Sequence, residues 1–90
     1  MPNLDARPVD PRDTHWEVWY PGYRVHFWRR EGDTYVSRDF DIAPAEVDEV
    51  LAWIEEHRLN GETFALFAIV DRADGMGIIR LVGVDPTRSA

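Results

Sequence analysis

Histidine is the side chain best suited to moving protons near neutral pH and to holding a transition metal, and this chain has three, His15, His26 and His57. No two of them sit one helical turn apart, the spacing at which a pair on one helix face shares a metal. His26 falls between Arg24 and Trp28 on one face of an alternating stretch, and His57 closes a helical stretch, where the dipole favours a cation. Structural roles account for all three, so no catalytic residue and no metal ligand is assigned. The Asp74-Gly75-Met76-Gly77 loop contains a G-x-G. It lies between two strand-like runs instead of opening a helix, which suits a hairpin and not a phosphate cradle. Asp71 and Asp74 lack the spacing and the closing glutamate of a calcium loop. No cofactor is expected, and the chain reads as a non-enzyme.

The residue types favour binding over catalysis. His15 to Arg30, HWEVWYPGYRVHFWRR, holds six of the eleven aromatics. The candidate binding residues are Trp19, Arg24, His26, Trp28, Trp53 and Phe67. Trp53 falls off the centre of its helix's apolar stripe; it either anchors a partner, as tryptophan often does, or packs over the sheet rim against a strand aromatic. An alternative function is a small-molecule binder or minor enzyme with an aromatic-lined pocket between helix and hairpin. There Trp16, Trp19 and Trp28 would stack on a flat or sugar-like ligand, with Arg24 and His26 as polar contacts.

Nucleic acid is a poor fit as partner. The net charge of -7 opposes a phosphate field. Arg24, Arg29, Arg30 and Arg38 do interleave with Tyr23, Phe27, Trp28 and Tyr35, the makings of a base-stacking surface. Arginines on hairpin strands, however, more often serve as solvated edge charges. The stretch 15–30 is the one basic segment, at +2, whereas 43–62 carries -5.

Ninety residues make one domain. Residues 1–14 are proline-rich without hydrophobic period and read as a flexible N-terminal arm; 86–90 read as a C-terminal tail. The single α+β domain then spans 15–85. The absence of cysteine removes disulfides and thiolate metal sites as sources of stability. No apolar run spans a bilayer and no signal-peptide pattern opens the chain, so a cytoplasmic location is expected.

Hydrophobic alternation predicts strands at His15–Tyr20, with a Pro21-Gly22 turn, at Tyr23–Arg30 and at Thr34–Ile42. Val47, Val50, Leu51 and Ile54 predict a helix over about Pro44 to His57, with proline at its first position. Thr63–Val70 and Ile78–Val84 add two strands around a loop at 71–77. The expected fold class is α+β, a single five-stranded, mainly antiparallel sheet in β-β-β-α-β-β order with one helix on one face. The expected strand order is 4-5-1-2-3. Strands four and five are apolar on both faces, more than one helix can cover. A large exposed apolar patch is uncommon on a monomer, so a homodimer or another protein partner is expected to cover the surplus.

Overall fold

The structure, a computed structural model, describes residues 3–88. The expected arm and tail include residues 1–2 and 89–90, which lie outside the described residues. Four strands and one helix follow in β-β-α-β-β order: β1 (Tyr23–Glu31), β2 (Thr34–Ile42), α1 (Val47–His57), β3 (Thr63–Arg72) and β4 (Gly75–Gly83). They form one sheet of order β2-β1-β3-β4 in which every pairing is antiparallel.

This corrects the five-stranded expectation, because His15–Tyr20 is not a strand. Its apolar and polar residues alternate, but a hairpin through Pro21-Gly22 would need an open edge on β1. Both edges of β1 are taken, by β2 and by β3. The Pro21-Gly22 pair does not make a turn. Gly22 O accepts a hydrogen bond from Ile69 N (2.9 Å) and Pro21 O accepts one from Ala45 N (3.4 Å), so the pair ties the start of β1 to β3 and to the approach to α1. Residues 3–20 contain one short 3-10 turn, Pro11–Asp13, and are exposed.

The strand order 4-5-1-2-3 is corrected for the same reason. With no strand before β1, the chain leaving β2 crosses β1 through α1 and pairs directly with its free edge as β3. β2 and β3, both antiparallel to β1, therefore run parallel to each other on either side of it. Two tight hairpins complete the sheet, through Gly32-Asp33 and Ala73-Asp74. The second is shorter than the expected 71–77 loop.

α1 begins at Val47, so Pro44 precedes it. Ala45 N donates to Pro21 O, and Glu46, still extended, donates its own N–H to Glu49 Oε1 at 3.2 Å. At the other end Arg58 N donates to Ile54 O at 2.8 Å. Alternation on β1 turns Tyr23, Val25 and Phe27 toward α1, where they meet Val50, Ile54 and Leu66 in the buried core. Ile42, Ala45, Leu51, Trp53 and Phe64 surround it. Each such buried side chain contributes about 1.5–3 kcal/mol. Among the described residues, none from β4 belongs to this core.

Gly83 ends β4 at φ +92°, and a Cβ there would stand 2.1 Å from Phe64 O. Gly32 is also left-handed, at φ +62°, but a Cβ there meets open space. Urea unfolding should therefore separate the two alanine variants: about 1 kcal/mol lost for Gly32→Ala, and about 3 kcal/mol for Gly83→Ala, which must also push β4 off β3. Equal losses would mean that the close approach at Gly83 relaxes freely.

Candidate interaction surface

Arg24, His26 and Trp28 alternate with the core residues of β1 and so occupy the face away from α1. Register sets them opposite Asp41, Asp39 and Ser37 on β2, and opposite Phe67, Ala65 and Thr63 on β3. Arg24 grips Asp41 with two bonds, Nε to Oδ1 at 2.7 Å and Nη2 to Oδ2 at 3.0 Å. Those bonds hold the Asp41 carboxyl below the usual carboxylate range. The His26 ring lies 5.0 Å from Phe67 and edge-on to Trp28 at 6.0 Å, with Nε2 3.9 Å from Asp39 Oδ1. Asp85 accepts hydrogen bonds from Thr87 N and Oγ1 at 2.8 and 2.6 Å, which hold its carboxyl below the usual range. Four of the six candidate residues, Arg24, His26, Trp28 and Phe67, are thus brought together.

This cluster closes the face over β3 instead of leaving it open. Phe67 is 7% exposed and Ala65 is fully buried. The enclosed His26 Nδ1 and Trp28 Nε1 have no hydrogen-bond partner among the described residues.

Trp53 and Trp19 lie elsewhere. Trp53 packs on the helix side against Phe40 (5.3 Å) and Phe27 (6.0 Å) and stacks on His57 at 4.1 Å. It occupies the sheet rim, the packing role weighed for it from the sequence. Trp19 is 77% exposed in the segment before β1, its indole N–H donating to Glu17 Oε1 at 3.3 Å. Trp16, Trp19 and Trp28 do not converge, and the space between α1 and the hairpin is filled by core side chains. A groove of about 740 Å³ instead lies between residues 16–22 and the end of β3, lined by Trp16, Val18, Tyr20, Ile69 and Asp71 among others.

β4 is an uncovered apolar strand. Ile78, Ile79, Leu81 and Val82 are all exposed, Ile79 by 56%, and Val84 just beyond is 70% exposed. Register places Ile79 and Val82 on the α1 side and Ile78 on the other, so both faces are open. The two sheet edges differ in chemistry. β2 carries Arg38, Asp39 and Asp41, whereas Arg80 is the sole charge between Gly75 and Gly83. Its guanidinium Nη1 is turned along its own strand to Gly83 O at 2.9 Å.

Sequence reasoning passed over one buried ion pair that locks the frame. Glu62, 3% exposed, accepts Nε and Nη2 of Arg38 at 2.9 and 2.7 Å and Leu59 N at 2.8 Å. Arg38 also donates to His57 O at 3.1 Å, satisfying a carbonyl at the end of α1. The signal was present: Arg38 is in phase with Phe40 and Ile42, and a cation within an apolar stripe calls for a buried acid.

Compared with known proteins, the chain matches no family model, no curated protein and no solved structure. Among the described residues no helix is long and apolar enough to cross a membrane, and no group of three or more His, Asp or Glu is arranged to hold a metal ion.

The Arg38 hydrogen bond holds the Glu62 carboxyl below its ordinary range. A carboxylate with a depressed folded pKa adds stability above its unfolded pKa, and that stability is lost as pH falls through the folded value. Glu62→Gln should therefore cost about 1–3 kcal/mol at neutral pH. Its loss of stability below about pH 4.3 should also be shallower than that of the parent, as read from urea unfolding at stepped pH. Parallel acid limbs would remove Glu62 from the balance.

Proposed function

We propose that this chain is a small, acidic, non-catalytic protein that works by protein–protein binding, and that it does so as a homodimer in the cytoplasm. The observation that carries the reading is the exposed, nearly uncharged β4. The sequence led us to expect surplus apolar surface on both strands that follow the helix, with Trp19 and Trp28 adding to it. Phe67 on β3 is only 7% exposed, whereas Ile78, Ile79, Leu81 and Val82 on β4 stay open.

The size of the exposed surface supports a second copy. The chain exposes 7662 Å², against about 5,400 Å² for a compact monomer of its mass. Its radius of gyration is 15.9 Å, against about 12 Å for a compact chain of this length. Residues 3–20, exposed throughout, account for part of the difference, and the exposed apolar side chains of β4 add to it. An ordinary stable interface needs about 800 Å² from each partner, less than the excess. Charge points the same way: an isologous contact must not repel itself, and the residues from 63 to 90 carry no net charge while the helix segment is strongly acidic.

Light scattering coupled to size exclusion should give twice the chain mass of 10.5 kDa at micromolar concentration. Ile79→Glu, an exposed position, should give a folded monomer. A parent protein that stays monomeric would defeat the homodimer. A second reading, a small-molecule binder, rests on the groove beside Trp16 and Tyr20, and it requires no dimer in the same experiment.

A further inference from the structure

We infer that two copies join edge to edge through β4, antiparallel about a two-fold axis at Ile78, making one continuous eight-stranded sheet. This deepens the homodimer reading and rests on it.

β4 is an edge strand, and its outer side presents unpaired N–H and C=O groups, a template for another strand. Natural edges are blunted by charges, prolines or bulges. β2 has the charges. β4 has no proline and one charge, and its one irregularity is the bulge at Leu81, where β3 passes from pairing Val82 with Leu66 to pairing Arg80 with Phe67. Below that bulge, Gly75 to Arg80 pairs with β3 residue for residue. This regular stretch is what a second copy can match.

Symmetry then restricts the register. In a two-fold antiparallel pair the side chains directly opposite each other must lie on the same face, so the axis falls at a residue and not between two. An axis at Arg80 sets two guanidinium groups face to face, which is unfavourable. An axis at Ile79 carries the pairing into the bulge, with Gly77 opposite the partner's Leu81. An axis at Gly77 sets two glycines at the centre and runs the ladder into the Ala73-Asp74 turn. An axis at Ile78 keeps the ladder within the regular stretch: Ile78 meets the partner's Ile78, Gly77 meets Ile79, and Met76 lies under the stem of Arg80. Two β-branched side chains directly opposed form a favourable cross-strand pair. The axis is perpendicular to the sheet, so both copies of α1 lie on the same face, with Ile79 and Val82 of each copy between them.

The chain has no cysteine, so single-cysteine variants report the contact cleanly. Ile78→Cys, Ile79→Cys and Val36→Cys, the last on the opposite edge, are each oxidised mildly with diamide at micromolar concentration and run on a non-reducing gel. Circular dichroism confirms the fold of each. Directly opposed strand residues fall within disulfide reach, whereas the diagonal Ile79 pair, more than about 7 Å apart, does not. The expected result is a covalent dimer for Ile78→Cys and monomer for the other two. A dimer for Ile79→Cys or Val36→Cys but not for Ile78→Cys overturns the register. No cross-link in any variant, with twice the chain mass in light scattering, overturns edge pairing while leaving the homodimer in place. A monomeric mass in light scattering overturns both.

Discussion

A helix with its side chains is about 10–12 Å across, and neighbouring strands lie about 4.8 Å apart. One helix therefore shelters two or three strands and cannot shelter four. In this chain α1 lies over β1, reaching β2 through Trp53 on Phe40 and β3 through Leu66, which shares the buried core with Val50 and Ile54. β4 is the strand left outside, and its composition does not suit that position. An outer strand facing water normally alternates apolar with polar residues, yet GMGIIRLVG has one charge. The mismatch between where β4 sits and what it is made of motivates the whole functional reading.

The rest of the architecture protects the other side. Arg38 reaches from β2 to Glu62 and to the last turn of α1, so that the edge of the sheet, the end of the helix and the start of β3 are tied at one buried carboxylate. Arg24 and Asp41 form a bidentate rung between β1 and β2 on the opposite face. Both devices put charge on or beside β2. They stabilise the hairpin and also make it a poor template for a further strand, leaving β4 as the permissive edge.

Much of this was legible in the sequence, and what was missed has a physical origin. Tyr23, Val25 and Phe27 were assigned to one face and Arg24, His26 and Trp28 to the other because alternation is local and the Gly32-Asp33 turn fixes the register of β1 on β2. The helix was legible from Val47, Val50, Leu51 and Ile54, although Pro44 overstated its start. His15–Tyr20 misled because alternation reports that a segment could lie on a sheet, not that the strand next to it in the chain has an edge free to accept it; β2 and β3 hold both edges of β1. Strand order depended on that same edge. Surplus apolar surface on β3 and β4 was legible from their runs, but not that β3 would be covered and β4 left exposed, since an apolar run reads alike whether a helix of the same chain or a second copy covers it. Of the candidate residues, the cluster of Arg24, His26, Trp28 and Phe67 follows from β1 alternation and the β1–β3 register. Trp19 was tied to a strand that does not form.

The central claim, that a second copy covers β4, is tested most directly by hydrogen exchange at the β4 amides over a range of protein concentrations. Alternate amides of an antiparallel strand point to opposite edges, so half of those in β4 are turned away from β3. In a β4-paired dimer these outward amides exchange slowly at high concentration and speed up on dilution, while the outward amides of β2 do not change. Outward β4 amides that exchange fast and independently of concentration would contradict the claim.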